Sequence, residues 1–333
     1  MVKKGKSING LMRHIRNKHD TKIGGSKNKQ DLLNMGYYHG YKALRYIKNR
    51  DNDQNYESFK QIQVLYNFDI KIKKMLYPYL ILIETSLKNR LIDYLVTGES
   101  PSIEYIYKYM LTNYKNYSTG NNKYRKYLKR RLELRNKIDE TLSYHYGKRN
   151  PVITHFFHNS KPIPLWAYFE VVSFGEFGNF IYSLHSDYKI NFTDSLKINH
   201  SGLNQNGRIL ENIIFTLTPL RNAVMHNSII FDCRFNNHDH SKQIKTYLEQ
   251  MTGISNIQFN NIEDFIILIV FMLKNLDVNI RDLNNTISNF MNSTRIVEKS
   301  IPKSSYFQIF GTDINNKLTK LKSYINNNWL ENV

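Results

Sequence analysis

Apolar residues recur three, four or seven positions apart from Ile62 through Leu65, Ile72, Leu76, Leu80, Ile83, Leu87, Leu91 and Tyr94, the spacing that lines one face of an α-helix. One or two core-facing helices follow, with Pro78 expected to kink or divide the series because proline lacks a backbone donor. A second helix is predicted from about Lys123 to Thr141, with Tyr124, Leu128 and Leu132 on one side and Lys126, Arg130 and Lys137 on another. Ile209, Leu210, Ile213, Ile214 and Leu217 keep the helical spacing up to Thr218-Pro219, which reads as an N-cap with proline opening a new helix. Ile262 to Met291 reads as one long or two shorter helices, and Asn316 to Leu330 as a final one. No segment alternates with the period of a strand, so the fold class predicted is all-α.

Polar stretches set the organisation. Residues 1–30, rich in lysine and arginine, read as a flexible basic segment. Thr112 to Asn122 reads as a loop and Phe235 to Lys242 as a polar connector. Residues 31–333 then form one elaborated helical domain, its C-terminal helices starting near 255.

A chain of 333 residues, 41% hydrophobic, can bury a large core. Its longest apolar run, Phe265 to Leu273, ends at Lys274, far short of the roughly 20 residues that cross a bilayer. The basic start has no apolar stretch of the kind a secretory signal needs. The single cysteine, Cys233, rules out an intrachain disulfide and suits a reducing, cytoplasmic setting. A net charge of +19 attracts polyanions, nucleic acid first among them. AT-rich coding also produces chains rich in Lys, Asn and Ile, so charge by itself names no partner.

The chemistry concentrates in Arg221-Asn222-Ala223-Val224-Met225-His226. Arginine holds a phosphate through two parallel hydrogen bonds at any cellular pH, and histidine gives or takes a proton near neutrality. Arginine precedes histidine at similar spacing at Arg13/His19, Arg149/His155 and Arg234/His240 as well. Those three lie in a basic leader, before Asn150-Pro151 and in a polar run, which leaves Arg221/His226 the helical setting. With a helix starting at Pro219, the trio would ride its first two turns, where unpaired N–H groups favour an anion. Asn222 and His226, four apart, share a face.

Leu220 to Asn227 resembles the R-N-x-x-x-H signature of HEPN domains, helical ribonucleases of prokaryotic defence systems. Gly36-Tyr37-Tyr38-His39-Gly40-Tyr41-Lys42, Leu65-Tyr66-Asn67-Phe68-Asp69, Ile83-Glu84-Thr85-Ser86-Leu87-Lys88, and Pro164-Leu165-Trp166 with Glu170 and Ser173-Phe174-Gly175 resemble ordered blocks of the Abi-like abortive-infection family, in its AbiD/AbiF-type branch. The resemblance spans about residues 30 to 235. It implies a HEPN-like helical bundle with additional helices, paired about a two-fold axis into a homodimer. It further implies a metal-independent endoribonuclease without cofactor, in which His226 handles protons, Arg221 stabilises charge on phosphorus and Asn222 fixes geometry. Such an enzyme restrains growth during phage infection and needs a brake, an antitoxin RNA or an antitoxin protein. The contrasting reading is a non-catalytic HEPN-like RNA-binding protein whose motif stabilises a dimer or a bound small RNA.

Further candidates surround that motif. Lys123, Arg125, Lys126, Lys129, Arg130 and Arg131, interleaved with Tyr124 and Tyr127, suit phosphates and unpaired bases; the alternative is a solvated helix face. Lys42 is a further RNA-binding candidate, since burying it unpaired would be costly. Glu84 and Glu170, each beside an apolar stripe, can orient the arginine or act as supporting acids, and a structural salt bridge is the plainer role. His238, Asp239 and His240 form the one close His/Asp cluster, and no metal site is expected there.

Overall fold

The computed structural model describes residues 5–198, 202–236 and 241–327, and among these the chain forms fifteen α-helices and no strand. Helices α1 (Ile8–His19) and α2 (Gly25–Met35) lead through a π-helical turn, Tyr37–Lys42, into α3 (Phe59–Val96). Next come α4 (Ile103–Tyr109), a 3-10 turn (Asn113–Asn116), α5 (Asn122–Gly147), α6 (Pro151–His158), α7 (Leu165–Val171), α8 (Phe174–Ser183) and α9 (Ser186–Ser195). After α10 (Ile209–Met225) and α11 (Lys242–Thr252) the chain closes with α12 (Ile262–Asn275), α13 (Ile280–Glu298), α14 (Lys303–Phe310) and α15 (Ile314–Asn327).

The apolar series of the long helix is one element. Leu65, Ile72, Leu76, Leu80, Ile83, Leu87 and Leu91 are buried along α3, whose 38 residues span about 57 Å. Pro78 sits inside this helix without dividing it. Ser58 and Gln61 close a capping box at its start. α3 packs against α7, α10, α12 and α13 and is the axis on which the rest is hung. The apolar run Phe265 to Leu273 forms most of α12, buried on every side as a central core helix. No helix among the described residues is long and apolar enough to cross a membrane.

Three expectations change. The segment 1–30, expected to be flexible, is folded from residue 8: α1 buries Met12 and Ile15, α2 buries Leu32 and Met35, and Arg16 Nη1 donates to the Ile23 carbonyl at 2.7 Å. Its apolar residues are sparse among lysines, yet Ile8, Leu11, Met12 and Ile15 keep helical spacing. On α5 the buried stripe is Leu134, Ile138, Thr141 and Leu142, later than expected, and Leu132 is 53% exposed. Between Ile262 and Met291 the chain takes the second of the two expected forms, two helices broken at 276–279.

The third change bears on the motif. Thr218-Pro219 does not begin a helix; Pro219 lies inside α10, and the Thr218 hydroxyl donates to the Ile214 carbonyl at 2.8 Å. Tertiary packing overrides the local signal, because Ile213, Ile214, Leu217, Leu220 and Val224 are buried in one unbroken stripe. Against this stripe lies α8, so close that a Cβ at Gly178 would come 2.8 Å from Phe215 Cε1.

Candidate functional site

Arg221, Asn222 and His226 therefore occupy the last turn of α10, with His226 as its C-cap. Asn227 follows in the left-handed region at φ 54, a conformation asparagine tolerates better than most residues. Its N–H reaches the Val224 carbonyl at 3.3 Å, and the Ser228 N–H reaches the Ala223 carbonyl at 2.8 Å, the two bonds of a Schellman cap. A helix end of this polarity favours cations. The N–H cradle expected for a phosphate is at the other end of α10, so phosphate here must be held by side chains. Asn222 and His226 are exposed and Arg221 is half-buried.

Two acid–lysine pairs on α3 fix this turn from either side. Glu84 accepts from Arg221 Nε at 2.9 Å through Oε2 and from Lys88 Nζ at 2.9 Å through Oε1; Lys88 also donates to the Val172 carbonyl at 2.8 Å. Arg221 Nη1 donates to Asn222 Oδ1 at 3.3 Å. Further toward the start of α3, Asp69 Oδ2 pairs with Lys73 at 2.6 Å, and Oδ1 accepts from the backbone N–H groups of Ile230 and Phe231. Lys73 donates in turn to Asn227 Oδ1 at 2.9 Å, and His39 Nε2 donates to the Asn227 carbonyl at 3.0 Å. The motif is thus clamped before Asn222 by Glu84 and after His226 by Asp69, Lys73 and His39.

Beside Arg221 opens a cleft of about 450 Å³ between α3 and α7, with Glu84, Thr85 and Lys88 on one side and Trp166, Phe169 and Glu170 on the other. Glu170 is exposed there and, among the described residues, pairs with no cation; of the two candidate acids, Glu84 holds the arginine. Lys88, Lys73, Asn227 and His39 complete the site beyond the sequence candidates. Their signals were the i,i+4 spacing of Asp69/Lys73 and Glu84/Lys88 and the position of Asn227 just after the motif.

The other arginine–histidine pairs are put to other uses. Arg13 and His19 do lie on a helix, α1, contrary to expectation, but His19 stacks on Tyr41 and hydrogen-bonds its hydroxyl at 3.0 Å. Burial first, then nearby cations, pull His19 down to about 4, so it stays neutral. Arg149 follows α5 at φ 56, and His155 lies on α6. Arg234 is locked by Asp232 and by the Ala43 and Tyr46 carbonyls, while His238, Asp239 and His240 lie outside the described residues. Within the π-helical turn, a Cβ at Gly40 would collide with the Met35 carbonyl and Tyr41 is buried, whereas Lys42 is exposed over the Tyr38 ring.

On α5 the basic cluster divides. Lys123, Arg125, Lys126, Lys129 and Arg130 are exposed. Arg131 instead stacks on Tyr107 and donates to the Leu111 and Tyr107 carbonyls at 2.7 and 2.8 Å, which makes it a packing residue.

Fold and site together define an all-helical protein whose arginine–histidine motif is clamped to a long central helix. The family model described as Abi-like protein matches residues 30–232, more than half of the chain. The chain belongs to the Abi-like protein family, which connects it to abortive infection, a phage-defence response. The matched span runs from α2 to just past the clamped turn and leaves α1 and α11 to α15 outside. No curated protein and no solved structure matches the chain significantly.

Proposed function

We propose that this protein is a metal-independent, HEPN-type endoribonuclease of a cytoplasmic phage-defence system, cutting RNA at a composite site where two copies of the motif meet across a two-fold axis. The observation that carries the proposal is the clamped turn: an arginine held by Glu84 next to exposed Asn222 and His226. His226 takes the proton from a ribose 2′-OH, or returns one to the leaving 5′ oxygen. The 2′ oxygen attacks phosphorus, the bond to the 5′ oxygen breaks, and Arg221 balances the charge that builds on the phosphoryl oxygens. Products carry 2′,3′-cyclic phosphate or the 3′-phosphate derived from it, and DNA, lacking the nucleophile, survives. Its restraint would fall to an antitoxin RNA or protein.

Arg221 donates to Glu84 and to Asn222 within its own chain, an observation that favours the second reading, a non-catalytic RNA-binding protein. One experiment separates the two. Purified wild type, Arg221→Ala and His226→Ala are incubated with mixed-sequence RNA and matched DNA in excess EDTA, and product ends are analysed. Cleavage of RNA by wild type alone, leaving cyclic or 3′-phosphate ends, supports the nuclease. Inert wild type that still binds RNA makes the motif structural.

A further inference from the structure

We infer that the cleft between α3 and α7 is a base pocket that selects an unpaired guanine next to the phosphate held by Arg221; this rests on the ribonuclease reading of the same site. Trp166 and Glu170 are four residues apart on α7 and share a face, and both line the cleft. Trp166 is 48% exposed, and its ring packs edge-to-face on Phe156 with centroids 5.6 Å apart, which fixes the indole plane while leaving much of it open. Across from it α3 presents Ile81, Thr85, Asn89 and Ile92. A planar ring fits between an indole and an aliphatic wall, and stacking of this kind recognises unpaired bases. The volume, about 450 Å³, lies in the usual range for small-ligand sites.

Glu170 decides which base. It is an exposed carboxylate on the cleft wall, and among the described residues it makes no hydrogen bond or ion pair. A carboxylate is an acceptor with two oxygens side by side. Guanine offers two adjacent N–H donors on its Watson–Crick edge and satisfies both oxygens. Uracil places one N–H between two carbonyl oxygens that the carboxylate repels, and adenine and cytosine set one amino donor beside a ring acceptor. Arg221 opens onto the same cleft, so a base stacked on Trp166 puts its own backbone phosphate within reach of the guanidinium.

The test uses short 2′-O-methyl oligonucleotides, which lack the 2′-OH nucleophile and cannot be cut by the proposed route, in four versions differing at one base. Affinity for wild type, Glu170→Gln, Trp166→Ala and Trp166→Phe is read by fluorescence anisotropy. Wild type should bind the guanine probe about tenfold more tightly than the uracil probe. Glu170→Gln should erase that preference; Trp166→Ala should weaken all four probes about tenfold, and Trp166→Phe should restore them. Equal binding of the four probes, no binding, or a guanine preference that survives Glu170→Gln overturns the pocket. A guanine preference in a protein that leaves RNA intact keeps the pocket and removes the nuclease; cleavage without base preference does the reverse.

Discussion

Asp69–Lys73 and Glu84–Lys88 are the same local device, a carboxylate one helical turn before a lysine on α3, placed at two depths. Around the first pair, side-chain exposure is 4% for the acid and 10% for the lysine, and every further partner is protein: two backbone N–H groups and the Asn227 amide. Around the second, both side chains are 12% exposed, and the added partners are the Val172 carbonyl and Arg221 on the rim of an open cleft. What differs is the third partner. A pair closed only on backbone and amide anchors the chain, whereas one that also holds a cation beside a cleft places a group that faces solvent.

Removing each acid separates these roles. Asp69→Ala leaves Lys73 buried without its counter-ion and two N–H groups unpaired, and should cost about 3–5 kcal/mol in urea denaturation. A loss under about 1 kcal/mol would mean that this pair is as superficial as a surface ion pair. Glu84→Gln keeps the shape and releases the guanidinium. It should cost only about 1–2 kcal/mol of stability while lowering RNA cleavage by about 10- to 100-fold through misplacement of Arg221. Unchanged cleavage would remove Glu84 from the site.

The smallest effect comes from an acid with no cation of its own. Glu263 is fully buried in the first turn of α12, and among the described residues its carboxyl oxygens meet no hydrogen-bond donor in good geometry. Burial, with the neighbouring Asp264 adding to it, pushes its carboxyl from 4.5 up to about 8. A carboxyl raised in the folded state contributes stability fully at pH below its unfolded value and loses it as pH rises through its folded value. Melting temperature should therefore fall by a few degrees on going from about pH 6 to pH 9, and Glu263→Gln should flatten that fall. A wild-type curve already flat over this window would show that Glu263 is not held protonated.

Much of this was legible in the sequence. The stripe from Leu65 to Leu91 marked α3 because a helix with one buried face writes its period directly into the chain, and Glu84, beside that stripe, was picked out as a possible partner of the arginine. The end of α10 that carries the motif is hidden from local pattern because Thr218-Pro219 carries a strong starting signal inside the helix. The contrary signal was weaker and longer-ranged: Leu217, Leu220 and Val224 keep their phase across the proline. Arg131 shows a different limit, since six cations in nine residues look alike until packing brings the Tyr107 and Leu111 carbonyls to one of them. Pairings such as Asp69 with Ile230, 161 residues apart, leave no mark in local pattern.

Asn227 carries a consequence for how this chain can vary. Glycine there would keep the left-handed turn but strip the amide from Lys73, and a longer polar residue would keep a partner for that lysine while straining the backbone. Two unrelated demands therefore converge on one side chain that need never touch RNA. Across any lineage of this protein, the residue after the motif histidine should drift as slowly as the histidine itself.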